Sequence, residues 1–304
     1  MQFIQCYRDA LTSDFHEAIP NLLLFLELIT DQLHSPFEFE PYHKKIRHPI
    51  DYYHFSLDFI RPLIEMKTSR IEGKEHLDTI SQKLKQKENV VLLANHQTEA
   101  DPQAIAILLE QSHPEIGENL IYVAGERVIT DPLAIPFSMG CDLLCIYSRR
   151  YIDYPPELKA QKQLHNKHTM EKMSRLLAEG GKIIYVAPSG GRDRKNQKGI
   201  VEIAPFEADS IEMFYLMAKK GKSPTHFVPF ALSTYELMPP PEGIQKEIGE
   251  MRTARKTPVS LSFAAPCDME YFPGYDKKDK IERRQARAVY IWNIVNTMYK
   301  SISK

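Results

Sequence analysis

No apolar run in this 304-residue chain is long enough to cross a bilayer. The longest, Ile19 to Ile29, contains Pro20, Asn21 and Glu27, whereas a spanning helix needs about 20 mostly apolar residues. Cysteine is scarce: Cys6, Cys141, Cys145 and Cys267 show no metal-ligand spacing, and reduced thiols in a cytoplasm account for them. The eleven histidines form no metal motif either. His165 and His168 stand at helical spacing with Glu171, but on a stretch polar enough to be a solvated face. The opening residues Met1-Gln2-Phe3-Ile4-Gln5-Cys6 lack the charged start and cleavage site of a secretory signal, and they are not Arg- and Ser-rich like a transit peptide. There is no internal repeat and no low-complexity tract.

What remains is the composition of a globular protein, 43% apolar and 26% charged. The length suits one large domain plus a smaller one. The net charge of −1 is unevenly spread: residues 1–140 carry 12 basic and 21 acidic side chains, residues 141–304 carry 27 and 19. A basic second half suggests an anionic ligand or partner. The run from Lys277 to Arg287 reads as a solvated helix face or as a partner surface.

Residues 1–70 read as a small helical bundle, with apolar stripes at Leu22, Leu23, Phe25, Leu26 and Ile29 and again at Tyr52, Tyr53, Phe55, Phe59, Ile60 and Leu63. Pro36, Pro41 and Pro49 separate the segments. Residues 71–304 change rhythm. Strand-like runs fall at Val90–Ala94, Leu120–Ala124, Leu143–Tyr147, Ile183–Ala187, His226–Leu232 and Val259–Ala264. Helices are predicted between them at 102–111, 157–179 and 207–220, with a closing helix over 277–302. Strands alternating with helices imply an α/β fold: a mostly parallel mixed sheet flanked by helices.

The most informative string is His96-Gln97-Thr98-Glu99-Ala100-Asp101, directly after the apolar run Val90–Ala94. Strand exits are where open α/β sheets place ligand crevices. A histidine held by a carboxylate is the smallest unit able to take a proton from a hydroxyl. Asp101 before Pro102 is also a good N-cap, and the two roles are compatible. Other strand exits are basic. Ile183–Ala187 is followed by Pro188-Ser189-Gly190-Gly191-Arg192-Asp193-Arg194, Leu143–Tyr147 by Ser148-Arg149-Arg150, and Leu120–Ala124 by Gly125-Glu126-Arg127. Paired guanidinium groups on such loops suit a phosphate. P-loop spacing is absent, and Asp193 offers itself as a counter-ion to its neighbours.

Four strings together carry a family resemblance: Asn95 to Pro102, Val123 to Val128, Ala187 to Arg194, and Pro239-Pro240-Pro241. In this order they resemble the soluble, plastid-type glycerol-3-phosphate acyltransferases, over roughly residues 90 to 270. The bare His-x4-Asp is common to glycerolipid acyltransferases, whereas the longer strings are more specific. The resemblance implies a small helical domain and a larger α/β catalytic domain. It also implies transfer of a fatty acyl group from acyl carrier protein or coenzyme A to the sn-1 hydroxyl of glycerol 3-phosphate. It makes His96 and Asp101 catalytic and Arg150, Arg192 and Arg194 phosphate-binding. Plant members tend to carry Lys-His where this chain has Arg150-Tyr151; arginine keeps the charge, and Tyr151 cannot supply one. No cofactor, metal, nucleic acid or transmembrane segment is expected, and membrane contact would be transient.

The rival readings are a lysophosphatidate acyltransferase, a thioester hydrolase, and a non-catalytic acyl-carrier or phospholipid binding module. The expected location is a bacterial-type cytoplasm, or a plastid stroma for a processed chain.

Overall fold

The computed structural model describes residues 2–12, 15–148, 152–241 and 251–303. Helices α1 (Gln2–Leu11) and α2 (Phe15–His34) lead through β1 (Tyr42–His43) to α3 (Tyr52–Ile60), β2 (Arg70–Glu72) and α4 (Lys74–Lys85). Then follow β3 (Asn89–Ala94), α5 (Asp101–Leu109), α6 (Pro114–Asn119), β4 (Leu120–Gly125), α7 (Glu126–Thr130), α8 (Ile135–Met139) and β5 (Asp142–Ile146). The second half holds α9 (Lys159–Glu179), β6 (Ile183–Val186), the short pair β7 (Arg194–Lys195) and β8 (Val201–Glu202), α10 (Ala208–Lys220), β9 (Thr225–Ser233), β10 (Ser260–Phe263) and α11 (Lys280–Ile302).

Eight strands form one sheet in the order β1-β5-β4-β6-β3-β9-β10-β2. The central five, β5 through β9, are parallel, while β1 joins antiparallel to β5 and β10 antiparallel to β9, with β2 parallel to β10. Strand alternation sorts the core into two layers. Val90, Leu92 and Ala94 of β3 face one way with Tyr185, Val228 and Phe230. Val91 and Leu93 face the other with Ile184 and Phe227. Burial on both sides is why these strands read as unbroken apolar runs. Helices α9, α10 and α11 cover the second face, and α9 ends at Gly180 in a left-handed conformation (φ 78°).

Helices α1 to α5 cover the first face. Packing continues across residue 70. Phe59 of α3 meets Phe25 of α2 in a tilted contact and Phe137 of α8 edge to face, at centroid separations of 4.9 and 5.3 Å, and Arg61 makes a two-pronged bond to Glu110 at 2.6 and 2.7 Å. The stretch before residue 70 also supplies β1 to the sheet edge, through Tyr42↔Leu144 and His43↔Leu143. A two-residue strand is too short to show alternation in sequence.

Helix α11 places the basic run. Arg70 donates to the Ser301 carbonyl at 2.8 Å, and Arg70 lies beside Ser260, which faces Ser233 at the end of β9. The last turn of α11 is therefore at the carboxyl edge of the parallel strands. Toward its start, Arg284 and Arg287 pair with Glu212 of α10.

Candidate active site

Pro102 at the second position of α5 fixes where that helix starts, and the chain between Ala94 and Asp101 closes as a tight turn. Asp101 is the first residue of α5, and Ala100 is the N-cap, with no side-chain cap. The expected capping role is thus replaced. The Asp101 carboxylate turns back and accepts the backbone N–H of Gln97 at 2.9 Å (Oδ2) and of Thr98 at 3.2 Å (Oδ1). The same Oδ2 stands 2.7 Å from Nδ1 of His96. Asp101 is fully buried while the His96 side chain remains 30% exposed. With Nδ1–H donating to Asp101, Nε2 is the ring's proton-accepting atom.

A second fully buried carboxylate, Asp193, lies next to this turn. Its N–H donates to the His96 carbonyl at 2.7 Å. Its Oδ2 accepts from Asn95 Nδ2 at 2.8 Å and Gln97 Nε2 at 3.2 Å, and its Oδ1 from the Ala204 N–H at 3.0 Å. Burial pushes this carboxyl up to about 6, against the pull of the Asn95, Ala204 and Gln97 hydrogen bonds. Sequence reading made Asp193 a counter-ion to the adjacent arginines, but the structure turns it inward, toward neutral donors. Tyr185 closes the arrangement by donating to the Asn95 carbonyl at 2.6 Å.

Of the three expected phosphate ligands, Arg192 and Arg194 flank Asp193. The Arg192 guanidinium is 3.8 Å from Glu99, a residue of the His96 turn. Arg194 donates to the Pro241 carbonyl at 2.6 Å, bringing the Gly-rich loop to the triple-proline segment. Arg150, with Tyr151, lies outside the described residues.

Arg252 was missed by sequence reading. It is nearly buried and bonds Glu99 at 2.7 Å and Asp131 at 2.9 Å. Burial works against its charge, but the two carboxylates outweigh this and hold the guanidinium even more firmly ionised than usual. No signal in Met251-Arg252-Thr253 distinguishes it from a surface arginine. Glu99 thus joins arginines from two distant segments to the candidate base.

His96, Glu99 and Arg252 line a cavity whose other walls are mostly apolar. Phe3, Phe25 and Phe59 come from α1, α2 and α3, and Val123, Val128, Leu133 and Phe137 from the segments after β3. The cavity encloses about 1010 Å³ of empty space, its open part included. A proton acceptor and the Arg252 guanidinium bordering a largely apolar pocket are elements that can align a polar acceptor with a lipid-like group.

The chain belongs to the acyltransferase family, whose family model, described as Acyltransferase, matches residues 70–233. Among curated proteins it is 38% identical over 296 residues to the chloroplastic glycerol-3-phosphate acyltransferase of Arabidopsis thaliana, a match covering 97% of this chain and 63% of that protein. It is 43% identical over 260 residues to the chloroplastic enzyme of the same name from Pisum sativum, covering 82% and 57%. The chain thus spans less than two thirds of the length of these relatives. Among solved structures, the 1-acyl-sn-glycerophosphate (LPA) acyltransferase PlsC from Thermotoga maritima aligns with a TM-score of 0.43 at 17% identity, over 94% of this chain and 98% of that one. No helix among the described residues is long and apolar enough to cross a membrane.

Proposed function

We propose that this chain transfers a fatty acyl group from a thioester to the sn-1 hydroxyl of glycerol 3-phosphate, giving 1-acyl-glycerol 3-phosphate. One observation carries the reading: the His96–Asp101 pair borders an apolar pocket, in a chain whose relatives are named for this reaction. Nε2 of His96 takes the hydroxyl proton as that oxygen attacks the thioester carbonyl. Asp101 holds the ring and stabilises the imidazolium, which then returns its proton to the departing thiolate. No enzyme nucleophile is required, because donor and acceptor react directly. Arg192, Arg194 and Arg150 hold the phosphate, converting binding into alignment of the hydroxyl. The fatty chain occupies the pocket between the N-terminal helices and the sheet.

The donor is acyl carrier protein or coenzyme A. Of the Lys277–Arg287 run, Arg284 and Arg287 pair with Glu212 of α10, so those two cations are engaged within the chain rather than offered to a carrier. Location follows the relatives' names. They support a plastid stroma and lend no support to the bacterial-type cytoplasm expected first.

The test is thioester consumption with and without glycerol 3-phosphate, using coenzyme A and carrier-protein donors. Acceptor-dependent consumption is expected. Acyl release without acceptor would make the chain a thioester hydrolase. Preference for the monoacyl acceptor would make it a lysophosphatidate acyltransferase.

A further inference from the structure

Thr234 is the first residue after β9, buried and far in sequence from the His96 turn. Its hydroxyl donates to Asp101 Oδ1 at 2.6 Å. Its backbone N–H and that of Tyr235 both donate to Gln97 Oε1, at 2.7 and 2.9 Å. The Asp101 carboxylate is thereby shared between four donors. Oδ2 faces His96 Nδ1 and the Gln97 N–H, and Oδ1 faces the Thr98 N–H and the Thr234 hydroxyl. Three of these belong to the turn that carries Asp101. Among the described residues, Thr234 is the donor to this carboxylate that comes from another strand.

We infer that Thr234 is a positioning residue for the acyl transfer proposed above, on which this inference rests. Its hydroxyl fixes the plane of the Asp101 carboxylate against the His96 ring. It also draws negative charge onto the oxygen that faces away from the imidazole. A carboxylate shares its charge between two oxygens, so a donor on Oδ1 weakens Oδ2 as a partner for the imidazolium. The other charged groups near the ring are Asp193 behind it, with Glu99 and Arg252 bordering the same cavity and Arg192 linked through Glu99.

Thr234→Val keeps the side-chain shape and removes the hydroxyl, and Thr234→Ser keeps the hydroxyl. The valine variant is expected to lose about tenfold in kcat, the usual worth of one hydrogen bond to a charged group, with the glycerol 3-phosphate KM little changed. The acid limb of its kcat/KM profile moves to higher pH, and so does the midpoint of the His96 ring titration followed by NMR. Thr234→Ser restores both, and Thr234→Ala gives the same upward movement should the valine variant not fold. A merely structural role predicts the opposite, because a carboxylate that drifts from the ring lowers that midpoint. An unmoved or lowered midpoint overturns the inference. The titration needs no substrate, so a wild-type protein that consumes no thioester would refute the proposed function separately.

Discussion

The backbone N–H of Asp193 donates to the carbonyl of His96 at 2.7 Å. The residue between two arginines is therefore bonded to the residue that carries the candidate base. Because β6 and β3 are adjacent parallel strands, their exits lie side by side, and Asn95 and Gln97 grip the Asp193 carboxylate from either side of His96. Base and cations are set against each other by buried hydrogen bonds rather than by exposed loops.

Replacing the base tests the chemistry directly. His96→Ala is expected to lower kcat by roughly 10²–10⁴ with the glycerol 3-phosphate KM nearly unchanged, the worth of one positioned general base. Steady-state kinetics decide it, and near-normal turnover would remove His96 from that role.

The arginines beside Asp193 should behave differently. Arg192→Ala and Arg194→Ala are each expected to raise the glycerol 3-phosphate KM about tenfold or more, the scale of one lost charge-assisted hydrogen bond. A variant with an unchanged KM would show that its arginine does not touch the phosphate.

Arg252 gives a stability prediction. Removing it takes from Glu99 and Asp131, both largely buried, the cation they share, leaving Arg192 at 3.8 Å from Glu99. Arg252→Ala should cost about 3–5 kcal/mol, the usual cost of breaking a buried ion pair on one side. Urea unfolding measures this, and a loss below about 1 kcal/mol would mean that water reaches the pair.

Asp193 links stability to pH. Its folded value, about 6, lies above the ordinary 3.8. A raised carboxyl favours the folded state in acid; that contribution is complete below about pH 4 and is lost as pH rises through 6. Relative to Asp193→Asn, the wild type is expected to lose about 2 kcal/mol between pH 4 and pH 7. Unfolding curves across that range test it, and a flat difference would contradict the burial.

On the proposed reading, the pocket wall sets a limit on the acyl chain. Val128→Phe adds bulk to the lining and should raise KM for long-chain donors about tenfold while sparing short ones, as overpacking of a filled site does. Equal effects on long and short donors would place the chain elsewhere.

Much of the site was legible where its signal is local. Val90 to Ala94 is apolar on both faces, and Pro102 restricts the helix start, so the turn holding His96 and Asp101 could be placed from spacing alone. Asp101 deceived as a cap because the same short side chain serves either direction; only the fold shows it turned back to Gln97 and Thr98. Helices α6, α7 and α8 span six, five and five residues, too few for a helical period to register.

By itself the sequence determined the six longer strands and the long helices between and after them, the His96–Asp101 turn and the basic loop after β6, because each rests on residues within a few positions of one another. The tertiary structure alone decided that Thr234 meets Asp101, that Asn95 and Gln97 hold Asp193, that Arg252 reaches Glu99, and that phenylalanines from either side of residue 70 enclose one pocket. Those contacts depend on β3 lying between β6 and β9 and on helices folding onto one sheet face. Sheet order brings together side chains more than 90 positions apart, and no local pattern encodes which strands become neighbours.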